Sequence, residues 1–177
     1  FSNLKPAAKK RKILTIGGGP AGMKAATVAA SRGHRVKLIE ASSMLGGQIN
    51  LAERLPGRSE FGGITTNLAN KLQRQNVEIK LNTKVSADFV MQEAPEVVIL
   101  ATGGKSYEPL IDGRENAHVV TAWQILEGKA NVGSRVAIAD WRCDWVGLGL
   151  AELLARQGCH VRLACNGMVP GQTVNQY

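Results

Sequence analysis

The sequence predicts an α/β fold with a parallel sheet, and three observations predict it. Apolar runs of strand length alternate with helical patterns along the chain, and two of these runs end in glycine-rich turns. The arrangement at residues 13–40 also recurs without a gap at 138–165, when 125 is added to each number. Strands that alternate with helices favour a parallel sheet joined by crossover helices. We therefore expect one strand–helix–strand crossover near each end of the chain.

The first crossover is predicted at residues 12–40. A buried strand from Ile13 to Ile16 runs into glycines, and a helix then continues to Arg32. Gly33 stands where a helix C-terminal cap is expected. The next strand is expected over residues 35–40.

The middle of the chain carries shorter patterns. Apolar residues at four-residue spacing predict a helix over 64–72, and alternation predicts a strand over 77–81. A short helix ends at Pro95. The strand at 97–100 is wholly apolar, so we expect it to be buried on both faces.

The second crossover is predicted near the end of the sequence. A short helix follows Thr121, whose hydroxyl suits an N-cap. A strand at 135–140, a helix at 146–156 and a strand at 159–165 then repeat the order of the first crossover.

The composition is that of a globular protein and argues against two classes of partner. Of the 177 residues, 44% are hydrophobic and 20% are charged, which is enough to bury a core. The apolar stretches are far shorter than the roughly 18 residues of a membrane span, so no membrane partner is expected. The net charge of +8 is partly concentrated at residues 9–12, and only 5% of residues are aromatic. Without interleaved aromatic residues, this charge does not predict nucleic-acid binding.

The three cysteines predict reduced thiols. Cys143, Cys159 and Cys165 form no C-x-x-C pair, so neither a metal site nor a disulfide framework is expected. Cys159 and Cys165 are six residues apart on one predicted strand, about 20 Å at ~3.3 Å per residue, which exceeds disulfide reach. This pattern favours a cytoplasmic protein.

A glycine motif at the end of the first strand carries the functional signal. Gly17, Gly19 and Gly22 have G-x-G-x-x-G spacing between a strand and a helix, and Glu40 ends the next strand. Such glycines allow a tight turn, close approach of a diphosphate and close helix packing. The helix N-terminus favours the diphosphate, and the Glu40 carboxylate can accept hydrogen bonds from ribose hydroxyls. The motif predicts a Rossmann-type fold that binds an ADP moiety.

Four motifs together resemble a known family. GGGPAG at 17–22, Glu40 with Ala41, LGGQ at 45–48 and ATGG at 101–104 resemble FAD-binding domains of the glutathione-reductase type. The combination is most similar to the C-terminal region of the iron–sulfur flavoproteins that include trimethylamine dehydrogenase, N-methyl amino-acid demethylases and 2,4-dienoyl-CoA reductase. In that family, an N-terminal TIM barrel carries FMN and a cysteine cluster holds a [4Fe–4S] centre.

The resemblance implies a set of cofactor-binding residues and no catalytic or metal-binding residue. The glycine turn would hold the pyrophosphate, Glu40 the ribose and Val85 the adenine edge, while the remaining residues would border the cofactor. The full set is Gly17, Gly18, Gly19, Pro20, Ala21, Gly22, Glu40, Ala41, Gly47, Gln48, Val85, Ala101, Thr102 and Gly103.

The second crossover lacks most of this motif. The offset of 125 places Arg142 at the position of Gly17, Asp144 at that of Gly19 and Cys165 at that of Glu40. Asp144 would repel a diphosphate by about 4 kcal/mol at ~4 Å. We therefore expect a degenerate NAD(P)-like site; an anion held by Arg142 is the alternative.

These inferences define the expected domains. Residues 1–11 are predicted to be a linker, and residues 12–130 an incomplete FAD/ADP-binding domain of Rossmann type. Residues 131–177 are predicted to be the first half of a degenerate NAD(P)-like domain. We expect the chain to be a fragment that self-associates and that is inactive alone.

By the resemblance, the whole protein oxidises an N-methylated amine, and the chain supplies its FAD/ADP-binding module. Its partners would be the TIM-barrel domain and an electron-acceptor protein. Two alternatives stay open at this point: an NADPH-dependent 2,4-dienoyl-CoA reductase that uses FAD as a relay, and a structural module that holds ADP without a redox role.

Overall fold

A computed structural model describes residues 4–116 and 118–174, which form two compact units. Within the described residues, the first unit comprises 4–50 and 60–104, and the second comprises 51–59, 105–116 and 118–174. The second unit thus begins earlier than the predicted boundary at residue 131. The domain division itself stays a prediction.

The order of elements agrees with an α/β fold. In chain order they are β1 (Lys12–Ile16), α1 (Pro20–Ser31), β2 (Arg35–Ile39), α2 (Ile49–Ala52), a 3₁₀ turn (Ser59–Phe61), α3 (Gly62–Arg74), β3 (Glu78–Lys80), α4 (Ala87–Glu93), β4 (Val97–Leu100), α5 (Ala122–Leu126), β5 (Arg135–Asp140), α6 (Trp145–Arg156) and β6 (His160–Cys165). The predicted class, a parallel sheet with crossover helices, is confirmed.

The first unit contains a parallel sheet with strand order β3-β2-β1-β4. Ile13 of β1 pairs with Val36 of β2 on one side and with Val97 of β4 on the other. The carboxyl ends of β1, β2 and β4 therefore meet at one edge of the sheet. That edge is where α/β sheets bind ligands.

The core of the first unit lies between this sheet and helices α1 and α3. Its most buried members include Met23, Ala26, Leu38 and Leu72, each completely buried. Small alanines on α1 let that helix approach the sheet closely. Because the helix is held by this core, its N-terminus is fixed beside the carboxyl end of β1.

The expectation that β4 is buried on both faces is wrong. Val97 and Ile99 pack against the core, but Val98 is 38% exposed and Leu100 is 74% exposed. The reason is topological, because β4 is one of the two edge strands of the four-stranded sheet. Within the first unit, helices cover only the face of β4 that carries Val97 and Ile99.

The second unit contains the parallel pair β5–β6, with α6 as its crossover helix. Its core is formed by four buried leucines: Leu55, Leu126, Leu150 and Leu154. Thr121 caps α5, and its hydroxyl and the Gln124 side chain form a capping box. The predicted N-cap at Thr121 is confirmed.

The predicted linker carries no regular structure between residues 4 and 11, yet it is bonded to the first unit. The N–H of Ala7 donates to the Arg32 carbonyl oxygen at 2.9 Å, and Arg32 Nε donates to the Lys5 carbonyl oxygen at 3.2 Å. Residues 5 and 7 are therefore hydrogen-bonded to Arg32, the residue that directly follows α1.

Candidate functional site: an uncapped helix N-terminus

The turn between β1 and α1 runs directly against the end of β4. Gly17 has a φ of +109°, and its N–H donates to the Ile39 carbonyl oxygen at 2.8 Å. A Cβ at Gly17 would overlap the backbone carbonyl of Ala101 and lie 3.1 Å from the Thr102 nitrogen. Glycine is favoured here because it accepts both this φ and so close a neighbour.

Gly22 lets α1 approach the same turn. It is buried in the first turn of the helix, and a Cβ there would overlap the carbonyl oxygen of Gly17. It would also lie 3.2 Å from the Cβ of Ala101. The third glycine of the motif is thus required by packing, whether or not a ligand binds.

Gly19 leaves the N-terminus of α1 open. It is the N-cap residue, and no side chain caps the helix. Among the described residues, and apart from its two chain neighbours, no atom lies within 4 Å of the position that a Cβ at Gly19 would take. Pro20 has no N–H, while Ala21 and Gly22 belong to the first turn, whose N–H groups have no acceptor within the helix. Open space at such an N-terminus fits an anion, and a diphosphate in particular.

Glu40 provides a carboxylate next to this opening. The N–H of Gly18 donates to Glu40 Oε2 at 2.5 Å, and the N–H of Ser42 donates to Oε1 at 2.7 Å. Burial by itself raises the pKa of the Glu40 carboxyl, but the N–H groups of Ser42 and Gly18 outweigh it and hold the pKa below its usual range. Glu40 is therefore ionised at neutral pH and can accept further hydrogen bonds.

The loop after β2 forms a second side of the site. The N–H of Gly46 donates to the Gly18 carbonyl oxygen at 2.9 Å. A Cβ at Gly47 would lie 3.2 Å from the Cα of Gly19. Gln48 Nε2 reaches the Gly104 carbonyl oxygen at 3.4 Å, so the loop spans from the β1 turn to the segment after β4.

The segment after β3 lies beside Glu40. The N–H of Thr83 donates to the Glu40 carbonyl oxygen at 3.0 Å, and the N–H of Asn82 donates to the Ser42 carbonyl oxygen at 2.9 Å. Val85 follows two residues later, directly before Ser86, the N-cap of α4. Its contact with an adenine edge stays a prediction.

The structure thus places every predicted site residue in the first unit. They lie in the β1–α1 turn (Gly17, Gly18, Gly19, Pro20, Ala21, Gly22), after β2 (Glu40, Ala41, Gly47, Gln48), before α4 (Val85) and after β4 (Ala101, Thr102, Gly103). Their roles as cofactor ligands stay predictions.

Sequence reasoning missed Ser42. Its N–H donates to the Glu40 side chain two residues earlier. The signal was present, because an acidic residue at the end of a strand followed by small polar residues is typical of a local side-chain turn.

The strand registers show that the predicted repeat is interrupted at the turn before α6. Lys12 pairs with Arg35 in the first crossover, 23 residues on, whereas Arg135 pairs with His160, 25 residues on. The offset of 125 holds for the helices and for β2 with β6. It is wrong for the first strands, because the turn before α6 is two residues longer.

Asp140, rather than Arg142, therefore takes the position of Gly17. Its side chain is buried, and Oδ1 accepts the N–H groups of Arg142 at 3.1 Å and Cys143 at 2.9 Å. A Cβ at Gly147 would overlap Asp140 Oδ2, as one at Gly22 would overlap Gly17. In the second unit the Asp140 carboxyl group thus accepts N–H groups of the turn, whereas the equivalent Gly17 has no side chain to do so.

Asp144 does stand at the position of Gly19, as predicted. It is the N-cap of α6, and its Oδ1 accepts the Val146 N–H at 2.9 Å. Arg142 Nε also pairs with Asp144 Oδ2 at 3.1 Å. The side chains of Asp140 and Asp144 thus accept hydrogen bonds from the N–H groups of this turn.

No metal centre emerges from residues 4–116 and 118–174, where no group of three or more His, Cys, Asp or Glu side chains is placed to hold an ion. Over the same described ranges, no helix is both long and apolar enough to cross a membrane.

A parallel sheet whose first turn offers an open helix N-terminus beside an acidic residue defines a Rossmann-type nucleotide-binding module. Residues 11–166 match the model of the pyridine nucleotide-disulphide oxidoreductase family, and the chain belongs to that family.

Individual relatives and a solved structure show which members of the family the chain resembles. The chain is 39% identical over 171 residues to N,N-dimethylglycine/sarcosine dehydrogenase of Chromohalobacter salexigens, covering 93% of the chain and 25% of the relative. It is 39% identical over 154 residues to the probable N-methylproline demethylase of Rhizobium meliloti, covering 87% of the chain and 23% of the relative. Its structure matches that of a 2-naphthoyl-CoA reductase with a TM-score of 0.92 and 35% identity, covering 98% of the chain and 26% of the reductase.

These matches confirm the resemblance to the amine dehydrogenases and ene reductases. The chain is a flavin-dependent oxidoreductase module of that family, with an FAD-binding Rossmann fold. It spans about a quarter of the length of the relatives it matches.

Proposed function

We propose that the first unit binds the ADP moiety of FAD, or ADP itself, within an amine dehydrogenase or N-demethylase. The observation that carries the proposal is the uncapped N-terminus of α1 at Gly19, with Glu40 bonded to the adjacent Gly18. A dinucleotide needs N–H donors for its diphosphate and an acceptor for its ribose, and this turn offers both.

Each part of the site has a separate task in this proposal. The first-turn N–H groups of α1 bind the diphosphate, and Gly19 leaves room for it. The ionised Glu40 accepts hydrogen bonds from the ribose hydroxyls. Gly47, Gln48 and the segment 101–103 border the rest of the cofactor. FAD, when bound, supplies one- and two-electron transfer; no residue of this chain is assigned a catalytic role.

The substrate class is proposed from the relatives. Two relatives at 39% identity carry names that describe action on N-methylated amino acids, dimethylglycine/sarcosine and N-methylproline. For the whole protein we propose the same substrate class, a TIM-barrel partner domain with FMN and a [4Fe–4S] centre, and an electron-acceptor protein.

A second candidate is an NADPH-dependent ene reductase with FAD as a relay. The match to 2-naphthoyl-CoA reductase, which covers 98% of the chain at 35% identity, favours it. The two candidates differ in the electron donor, because an amine dehydrogenase takes electrons from the amine whereas an ene reductase takes them from a nicotinamide.

The nucleotide carried by the purified chain tests the proposal for the first unit. A yellow preparation that releases FAD on denaturation supports a flavin role, and a colourless one that releases ADP supports a structural role. If the chain carries no adenine nucleotide and calorimetry detects no binding of ADP, the proposed site is wrong. In the whole protein, flavin reduction by an N-methylated amino acid but not by NADPH would favour the dehydrogenase.

Two further expectations remain proposals. The first is a cytoplasmic location. The second is self-association of the chain, for which the exposed Val98 and Leu100 on the edge strand β4 supply an apolar surface. Light scattering measures it directly, and a monodisperse monomer would contradict it.

A further inference from the structure

Two cysteines of the second unit lie at the carboxyl end of the β5–β6 pair. The sulfur of Cys143 lies 3.8 Å from the Asp140 carbonyl oxygen, which also accepts the Asn166 N–H at 3.0 Å. Asp140 pairs with Cys165 across β5 and β6. The sulfur of Cys143 therefore lies beside the peptide group that joins Cys165 to Asn166. The sulfur of Cys165 lies 3.5 Å from the Gly167 carbonyl oxygen.

The position of Cys143 is fixed from both sides. Its N–H donates to Asp140 Oδ1 at 2.9 Å, and its carbonyl oxygen accepts from the N–H of Thr173 at 3.2 Å and from the Thr173 hydroxyl at 2.9 Å. Its φ of +52° is unusual for a residue with a side chain, so the surrounding bonds hold a conformation that is otherwise disfavoured. A thiol held in this way stays next to its neighbour.

We propose that Cys143 and Cys165 are a reactive thiol pair that exchanges with small-molecule disulfides and closes to an intramolecular disulfide. Burial sets the order of events, because Cys165 is partly exposed whereas Cys143 is 2% exposed. The inference does not depend on what the first unit binds.

The exchange proceeds in two balanced steps. The Cys165 thiolate attacks one sulfur of the reagent, whose S–S bond breaks, and one reagent thiolate leaves. Cys143 then gives its proton to solvent and attacks the Cys165 sulfur, which releases the second reagent thiolate. The reagent gains two electrons, and the two cysteine thiols lose them as the new S–S bond forms.

The second step is pH-dependent. Burial raises the pKa of the Cys143 thiol, and the neighbouring Cys165 and Asp140 raise it further. The thiolate is the attacking species, so release of the second reagent thiolate accelerates as the pH rises.

The aromatic disulfide 5,5′-dithiobis(2-nitrobenzoate) tests the pair, because each thiolate that it releases is coloured. The experiment uses the folded full chain with Cys159→Ser, which removes the third thiol. We expect two coloured thiolates per chain and no adduct in the mass spectrum. Peptide mapping without reduction should then show Cys143 linked to Cys165.

The matched variant adds Cys143→Ser to the same chain. We expect one coloured thiolate and an adduct that persists on Cys165, with circular dichroism confirming the fold. A stable adduct on Cys165 in the Cys159→Ser chain, or no reaction of that folded chain, would overturn the proposal. Peptide mapping of that chain decides the question even if the Cys143→Ser variant does not fold.

Discussion

The turns before α1 and α6 each join a parallel strand to a twelve-residue helix, but they satisfy the helix N-terminus differently. Before α1, no side chain caps the helix and the space over Gly19 is open. Before α6, Asp144 caps the helix and Asp140 accepts two N–H groups of the turn. The first turn leaves the helix N-terminus without a side-chain cap, whereas side chains of the second turn accept its N–H groups.

The comparison separates the structural glycine from the functional one. Both turns keep the third glycine, Gly22 and Gly147, because each helix packs against the turn that precedes it. Only the first turn keeps the glycine at the N-cap, where no packing requires it. Packing therefore favours glycine at positions 22 and 147, whereas at position 19 we propose that glycine is needed for anion binding.

The largest expected effect is loss of stability in Gly22→Ala. The added Cβ meets the backbone carbonyl of Gly17, which cannot move aside, so we expect a cost of about 3 kcal/mol. Gly147→Ala meets a side chain, Asp140, and should cost less, about 1–2 kcal/mol. Thermal unfolding followed by circular dichroism compares them. Equal melting temperatures would show that the two turns do not differ in this way.

Gly19→Val should abolish ADP binding while leaving the melting temperature unchanged. A Cβ at this position would lie within 4 Å of no described atom beyond the adjacent residues, and the valine side chain would occupy the space over the helix N-terminus. Isothermal titration with ADP measures the loss. Gly133→Val is the matched control, since that position is equally open but lies in the second unit. Unchanged affinity in Gly19→Val would place the nucleotide elsewhere.

Glu40→Ala should weaken ADP binding without abolishing it, by about 1–3 kcal/mol for a lost charged partner. Glu40→Gln keeps the shape but removes the charge, so a loss in both variants identifies the charge as the cause. ADP titration of the three proteins provides the comparison. Wild-type affinity in Glu40→Ala would show that another group holds the ribose.

The same carboxyl group gives a pH dependence of stability. Because its folded pKa is lowered, Glu40 stabilises the fold above its unfolded pKa, about 4.3, and this contribution is lost as the pH falls through the folded value. We expect the melting temperatures of wild type and Glu40→Gln to differ at pH 7 and to converge in acid. A constant difference down to the acid end would contradict the assignment.

The sequence predicts the elements well because their signals are local. The alanines of α1, the apolar run of β4 and the N-cap at Thr121 act within a few residues, and each element lies where it is expected. The exposed face of β4 is not predictable in this way. A wholly apolar strand such as β4 is predicted to be buried. Only the strand order shows that β4 lies at an edge of the sheet.

The role of Asp140 also could not be predicted from the pattern. A two-residue insertion in a turn leaves the spacing of helix and second strand intact, so the repeat reads as ungapped. Only the register of β5 with β6 reveals the shift. Cys143 lies in this longer turn, whereas the sequence drew attention to Cys159 and Cys165.

The smallest expected effect concerns nicotinamide nucleotides, which we expect not to bind to the second unit. Two carboxyl groups, those of Asp140 and Asp144, occupy the turn and the cap, and Cys165 replaces the ribose acceptor. A diphosphate would have to displace internal bonds and approach negative charge, at a cost of order 4 kcal/mol at ~4 Å. Asp144→Gly alone removes only the cap, so it should not create binding.

Titration of the ADP-saturated chain with NADPH tests this directly, because ADP blocks the first unit. We expect no saturable signal for wild type or for Asp144→Gly. In the intact oxidised protein, stopped-flow mixing with NADPH should leave the flavin absorbance unchanged on the timescale of turnover. Rapid bleaching would mean that electrons do enter from a nicotinamide, since no other donor is present in that experiment, and it would favour the ene-reductase function over the amine dehydrogenase.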